Sequence, residues 1–593
     1  MPGFFSKSNS GSCVVPVHVN SAILRHGIPC SRFLAVAAAL IISLPAHAAP
    51  GVDDELIRQQ QQQRERAQQE LQDKAPNVRL QGKEVAAPIE LLPNDDTPCF
   101  VINQLSLGGP DADKFNWALD AASANDDSPL GRCLGSLGIN LVMKRIQNAI
   151  VKRGYVTTRV VAEPQDLKSG KLQLNIIPGR IRAIRFADGS GERANQWNAF
   201  PMVAGDLLNL RDIEQALENM KRVPTASADI KILPSEGPDA APGDSDLIVT
   251  WSQSFPFRVS LAADDSGTKA TGRYQGNLTL SADNLLTLQD LFYVNLSQNL
   301  PDQIAGHGTR GQTVHYSLPF GYWQLGLTAS DSNYHQSVAG ISQNYVYSGK
   351  SQNADVRLTR VVWRDAISKT TLGLRAWMRS SQNYIDDTEV LVQRRRMAGG
   401  EINAAEKLFL QDATLDLNLA YRWGTGAMGS MPAPEEAFGE GTAKPRLWTA
   451  DAQYNLPFKL FDRSLRYNLV WRGQWNDSPL VPQDRFALGG RYTIRGFDGE
   501  SILSAERGWL VRNDLGINLG DSGAEAYLGV DYGCVEGHSS ARLVGRELAG
   551  AVIGVRGSFK GLAYDLFAGQ PIYKPDAFRT ANTAAGFSLS WSF

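Results

Sequence analysis

At 593 residues, with 59 Lys plus Arg against 61 Asp plus Glu and a formal net charge of −2, the chain is too long for one ordinary domain and lacks the basic excess that nucleic-acid binding requires. A hydrophobic content of 43% excludes a wholly disordered chain, and a mean hydropathy of −0.24 resembles that of a soluble protein. The aromatic residues resist the second reading: of 22 Phe, 17 Tyr and 12 Trp, 40 fall in residues 255–593 and 11 in residues 1–254, which marks a boundary near Phe255 between two kinds of structure.

The one long apolar run, residues 33–44, is far shorter than the ~20 residues of a spanning helix. Arg25 and Arg32 precede it and Ala46-His47-Ala48 follows it. Residues 1–48 are therefore predicted to be a signal peptide, with the mature chain beginning at Ala49; a later translation start accounts equally well for the long front end. Cleavage removes Cys13 and Cys30 and leaves Cys99, Cys133 and Cys534. An exported protein can keep a disulfide, and Cys99 with Cys133, in one small predicted domain, is the candidate pair; two free thiols are the alternative.

Residues 53–74 are almost all helix formers, with Asp53, Asp54 and Glu55 where a helix N-terminus favours negative charge. A helix there would be roughly 33 Å long. It is polar on nearly every face, so it fits neither lipid nor a core and suits water, including the water of a pore. A Gln-rich spacer is the bland alternative. Residues 75–96, with Pro76, Pro88 and Pro93, read as a linker able to reach roughly 70 Å.

Between residues 97 and 178 the pattern is strand (100–107), helix (114–121), helix (139–153, stopped at Gly154), strand (156–161) and strand (172–177). A related unit follows in residues 179–253. It comprises a strand (181–186), a helix with Leu210, Ile213, Leu217 and Met220 on one face, and strands 228–233 and 247–251. Two tandem α+β modules are expected.

From 255 to 593 the period becomes two. Leu415, Leu417, Leu419, Tyr421 and Trp423 alternate with polar or small residues, as do Leu465, Tyr467, Leu469, Trp471 and Trp475. Oily faces that end in Trp or Tyr suit a transmembrane barrel with aromatic girdles. About sixteen strands fit, enough to enclose water unless something fills the lumen, and the polar helix is a candidate occupant. At the end of the sequence Phe587, Leu589, Trp591 and Phe593 alternate with serines, which resembles the C-terminal signal of bacterial outer-membrane barrels.

Enzyme-like strings carry little weight. Gly520-Asp521-Ser522-Gly523 matches a protease nucleophile segment, but its composition suits a turn between strands. Gly349-Lys350-Ser351 lacks the first glycine and the strand-to-helix setting of a phosphate loop. His307, His315, His335 and His538 have no metal-ligand spacing. The sequence suggests no enzyme, no metal and no cofactor.

The informative segment is Arg491-Tyr492-Thr493-Ile494-Arg495-Gly496-Phe497, after Phe486 and Gly489-Gly490 and before Arg512-Asn513-Asp514-Leu515. Ile494, Arg495, Gly496 and Phe497 resemble the Val-Arg-Gly-Tyr/Phe motif in the sixth extracellular loop of two-partner secretion transporters, with Ile in place of Val. Pro98-Cys99-Phe100, the segment from Leu210 through Leu217, and the order of the predicted parts are similar to the same family. The resemblance implies an N-terminal plug helix, two polypeptide-transport-associated (POTRA) modules in the periplasm and a sixteen-stranded outer-membrane barrel. It implies a loop, around residues 484–500, folded inward so that Arg495 pairs with Asp531 of a barrel-wall motif, Val530, Asp531, Tyr532 and Gly533. Local alternation permits this, since Ala526, Leu528 and Val530 share one strand face and Glu525, Tyr527 and Asp531 the other.

The implied partner is one large secreted exoprotein: a haemolysin, an adhesin or a contact-dependent toxin. It would be exported unfolded and without ATP. Outer-membrane lipid and the barrel-assembly machinery that inserts such barrels are the other implied partners, and nucleic acid is not one. An assembly factor of the same superfamily and a passive porin are the alternatives. The first usually has more POTRA modules, and the second leaves the modules and the helix without a purpose.

Overall fold

The computed structural model describes residues 51–72, 76–80, 90–301, 306–339 and 343–593; the predicted signal peptide and part of the linker lie outside them. In the first module the helix Ser136–Lys152 lays Val142, Ile146 and Ile150, four residues apart on one stripe, against a three-stranded sheet. Lys171–Ile177 is its central strand, parallel to Gln104–Gly108 and antiparallel to Arg159–Val161. Its Leu172, Leu174 and Ile176 point into the core with Ile102, Phe115 and Leu134.

Three expectations change here, the first being the strand expected over 156–161, which is confined to Arg159–Val161 because Val156 and Thr157 lie in a turn. The strand expected over 100–107 is divided into Phe100–Ile102, paired with Arg132–Leu134, and Gln104–Gly108. Between the two pieces the amides of Asn103 and Gln104 both donate to the Gly170 carbonyl, at 2.7 and 3.1 Å, as the chain changes partner. The helix expected over 114–121 is a longer 3-10 helix, Ala112–Asp126. Cys99 and Cys133 are joined by a disulfide beside the Phe100–Ile102 pairing, with Cα atoms 5.2 Å apart.

In the second module Asp244–Gln253 is the central strand, parallel to Arg180–Phe186 and antiparallel to Ala226–Pro234, which leaves Ala226–Pro234 at a sheet edge. The helix Leu210–Met220 starts where the Asn209 side chain accepts from the Arg211 amide at 2.8 Å. Ile213, Leu217 and Met220 pack on Leu247, Val249 and Trp251. Its opposite, polar face is buried too, including Glu214, Gln215, Glu218 and Asn219. A polar helix face normally meets water; this one meets the barrel rim.

Sixteen antiparallel strands, from Phe257–Asp264 to Ala584–Ser592, close into a barrel in which first and last strands pair. Period-two alternation separates the faces. In Ala413–Thr425, Leu417 and Leu419 are exposed on the outside, while Asp416 accepts from Lys407 Nζ at 2.6 Å. Trp323, Trp363, Trp448, Trp475 and Trp591 are exposed aromatics near strand ends, where a lipid headgroup layer would meet them. Strand length is uneven: Trp323–Ala339, Asn344–Arg364, Ser368–Ile385 and Arg395–Leu410 have 17, 21, 18 and 16 residues, and the last strand has 9.

The second module sits on the barrel turns. Asn198 Nδ2 donates to the Pro319 carbonyl at 2.9 Å, Asn219 Nδ2 to the Gly321 carbonyl at 2.8 Å, and Tyr322 Oη to Asp212 Oδ1 at 2.5 Å. Burial raises the Asp212 carboxyl above its ordinary range, against the lowering effect of that hydroxyl.

The disulfide constrains the unfolded first module, and removing such a bond typically costs about 2–5 kcal/mol. Cys133→Ser should make the first module cleavable at lower protease concentration while the barrel stays heat-modifiable on gels. Unchanged proteolysis would show that the core around Phe115 and Ile146 suffices alone.

Candidate functional site

Three parts meet inside the barrel: the loop between strands Arg463–Asn476 and Arg507–Asn518, the helix Gly51–Gln72, and the wall. The loop turns inward as a short hairpin, Phe486–Leu488 against Leu503–Ala505. It carries its own apolar cluster, in which Ile494 and Phe497 are buried with Leu488, Leu503, Leu510, Val535 and Leu548. The ring of Phe497 meets Phe578 edge-on at 5.7 Å. Apolar packing thus shapes the loop tip and fixes the direction in which Arg495 projects.

Arg495 reaches the strand Ala524–Glu536. Its Nε and backbone amide donate to Asp531 Oδ2 at 2.7 and 2.9 Å, and its Nη2 donates to Asp531 Oδ1 at 2.6 Å. The same Nη2 lies 2.6 Å from Asp514 Oδ1. Asp531 is fully buried and Arg495 is 5% exposed. The planar guanidinium suits this two-point grip on a carboxylate, which a lysine cannot reproduce. Arg512, 3.8 Å from Asp531, and Arg556, 3.4 Å from Asp514, balance the two acids from the wall.

Glycines make the approach possible. A Cβ at Gly550 would stand 1.8 Å from the Arg495 carbonyl oxygen, and one at Gly569 would stand 2.9 Å from the Cα of Gly496. Gly496 has φ +97 and faces the Gln570 carbonyl, so no side chain fits there. Of the wall motif, Val530 faces outward, Tyr532 is half-buried, and Gly533 leaves room for Leu488 of the loop. Sequence reading found Gly496 and Gly533 but missed Gly550 and Gly569; their inward register on neighbouring strands is the signal that could have found them.

The helix Gly51–Gln72 lies in the lumen against loop and wall. Arg58 donates to Ser381 Oγ at 3.2 Å and to Asn383; Gln59 Nε2 donates to the Pro482 carbonyl at 3.2 Å; Gln60 Nε2 donates to the Gly499 carbonyl at 2.8 Å. Leu56 and Ile57 are buried, so the helix is more enclosed than its composition suggests. Gln60 and Gln63 line a cavity of about 130 Å³ with Arg491, Tyr492, Arg495 and Asp498.

The remaining sites are placed as follows. Arg491 Nη2 donates to the Phe587 carbonyl at 3.2 Å. Leu589 and Trp591 pair with Ala263 and Leu261 of the first strand, and the Phe593 ring lies tilted against Trp591 with centroids 4.1 Å apart. Residues 520–522 form a turn between strands, and Gly349-Lys350-Ser351 lies within Asn344–Arg364. Among the described residues no group of three or more His, Cys, Asp or Glu is disposed to hold a metal.

Two α+β modules, the second seated on the rim of a sixteen-stranded barrel whose lumen holds an inward loop and a largely polar helix, define an outer-membrane transporter for polypeptides. Residues 243–557 match the family model described as "Haemolysin secretion/activation protein ShlB/FhaC/HecB", and residues 118–179 and 180–234 match two POTRA models, the first ShlB-type. The chain belongs to this family of two-partner secretion transporters, with its barrel in the outer membrane and its POTRA modules in the periplasm. It is 37% identical to the outer membrane transporter CdiB-2 of Burkholderia pseudomallei (95% of this chain, 100% of the relative) and 30% identical to CdiB of Dickeya dadantii (91% and 93%). The hemolysin transporter protein ShlB of Serratia marcescens is 26% identical over 68% of this chain and 70% of its own. Among solved structures, CdiB from Acinetobacter baumannii superposes with a TM-score of 0.81 at 30% identity, covering 92% of this chain and 99% of that one.

Gly550→Val should leave a folded barrel but expel the loop tip, read as new trypsin cleavage at Arg491 or Arg495 in intact cells. Continued protection of both arginines would show that the loop holds its place without close contact with this wall.

Proposed function

We propose that this transporter exports one large exoprotein of the kind that the CdiB transporters serve, since relatives of that name align over nearly the whole chain at up to 37% identity. The partner arrives unfolded, because an extended backbone can add to the exposed edge of Ala226–Pro234 and gain sequence-tolerant hydrogen bonds. Export needs no nucleotide. Folding of the partner outside supplies the drive, and the sequence carries no phosphate-binding loop.

The single observation that carries this reading is a lumen occupied by a helix that polar side chains bond to loop and wall. Helix residues bonded through Arg58, Gln59 and Gln60 can exchange those bonds for water, so the plug can leave. Arg495 and Asp531 keep the loop against the wall while the chain passes. In this division residues 1–48 are the signal peptide, 49–74 the plug, 75–96 the linker, 97–178 and 179–253 the two POTRA modules, and 255–593 the barrel. The barrel-assembly machinery inserts it, and outer-membrane lipid surrounds its aromatic girdle. A plugged lumen disfavours a passive porin.

Arg495→Ala leaves Asp531 buried without its main partner, a cost of about 3–5 kcal/mol. It should abolish secretion of the co-expressed partner while the barrel remains heat-modifiable; normal secretion would refute the role given to the pair. Deleting residues 51–72 should raise single-channel conductance in planar bilayers, and an unchanged conductance would refute the plug.

A further inference from the structure

The linker does not simply hang between helix and modules. Residues 76–80 run along the polar face of Leu210–Met220 at the periplasmic mouth of the barrel, and they are held by their backbone. The Val78 amide donates to Glu218 Oε1 at 3.0 Å and the Leu80 amide to Glu214 Oε1 at 2.8 Å. Arg364, at the rim end of strand Asn344–Arg364, donates its Nη2 to the Val78 carbonyl at 2.6 Å.

The spacing explains the fit. Residues four apart on a helix are about 6 Å apart along its axis, and residues two apart on an extended chain are about 6.6 Å apart. Two glutamates at that helical interval therefore match alternate amides of any extended backbone. Both carboxylates are buried, and cations hold them: Arg211 at 2.8 Å and Arg364 at 3.2 Å from Glu214, and Lys369 at 2.6 Å and Arg364 at 3.0 Å from Glu218. Burial pushes the Glu218 carboxyl up, but Lys369 and Arg364 together bring it below its ordinary range, so it remains a charged acceptor.

Side chains add contacts at two of the three positions. Val78 packs on the apolar core of the second module, Leu80 is 41% exposed, and Arg79 reaches out to the Ala366 carbonyl at 2.8 Å and lies over the Phe409 ring. Next to the clamp, Asn77 and Lys369 border a cavity of about 380 Å³ whose lining includes Lys407, Asp416 and Asp451. The clamp thus stands where a chain entering the lumen must pass.

We propose that Glu214, Glu218 and Arg364 form a backbone-reading site for extended polypeptide at the pore mouth, which the linker occupies at rest and the exported chain takes over. This rests on the export reading above and adds the place of exchange. Because linker and substrate compete for the same acceptors, arrival of substrate frees residues 76–80 and with them the tether of the plug helix.

The test uses the full chain in lipid nanodiscs and a fluorescein-labelled peptide of residues 75–84 as the probe. Val78→Pro with Leu80→Pro removes both linker donors and leaves the clamp intact. The tethered linker competes at high effective concentration, so the double variant should bind the peptide at least about tenfold more tightly than the wild type. A peptide N-methylated at the amides equivalent to Val78 and Leu80 should lose that gain, and a peptide shuffled elsewhere but keeping the valine and the arginine in place should retain it. Glu214→Ala with Glu218→Ala should abolish binding, and the N-methylated peptide gives the same information should that variant fail to fold. Equal binding by wild type and double proline variant, or indifference to N-methylation, would overturn the proposal. Secretion of the co-expressed partner by the wild type is measured alongside: its failure counts against the export function, whereas its success with a negative peptide result counts against the clamp alone.

Discussion

Three hydrogen bonds converge on the Asp531 carboxylate from one residue, the backbone amide and two guanidinium nitrogens of Arg495. A carboxylate with no exposed surface is tolerated only when its lone pairs are occupied and its charge is balanced. The pair satisfies both conditions, and in doing so it locates the loop. Ile494 and Phe497, on either side of Arg495, sit in the loop's apolar cluster while Arg495 points at the wall. Pro482, Gly499 and Ser504 then stand where helix residues Gln59 and Gln60 can reach them. Loop, plug and wall therefore share one anchor.

The contacts differ in kind according to what must move. Loop and wall are joined by a buried charge pair and by glycines that admit only one fit. Plug and lumen are joined by glutamine amides and an arginine, side chains whose bonds water can replace at a net cost of about 1 kcal/mol each. Among the helix residues whose burial is described, Leu56 and Ile57 add apolar burial. The two classes of bonding sit side by side, with Gln59 and Gln60 of the helix donating to the loop that Arg495 and Asp531 hold to the wall.

Much of this was legible from residue patterns. Period-two alternation identified the barrel, and the string from Arg491 to Phe497 pointed to the inward loop through its resemblance to the loop motif of two-partner secretion transporters. The face of Leu210, Ile213, Leu217 and Met220 identified the second module's helix. Its other face was not legible: Glu214 and Glu218 carry the same letters whether they face water or grip a backbone. Gly550 and Gly569 were equally silent, since a strand glycine means close approach only once the neighbour is known. The break at Asn103 depended on the distant Gly170 carbonyl. What escaped the sequence was contact between elements, which no local period encodes.

The long strands have a consequence for the product. Twenty-one residues of Asn344–Arg364 extend about 70 Å, or about 50 Å of height at the usual barrel tilt, against an apolar band of about 25 Å. On the periplasmic side Arg364, at the end of this strand, and Tyr322, beside the start of Trp323–Ala339, both touch the helix Leu210–Met220 of the second module. The surplus therefore rises on the outer side as a parapet around one sector of the exit. A polypeptide leaving there is delivered clear of the lipid headgroups, so its first apolar segments meet one another before they meet the membrane.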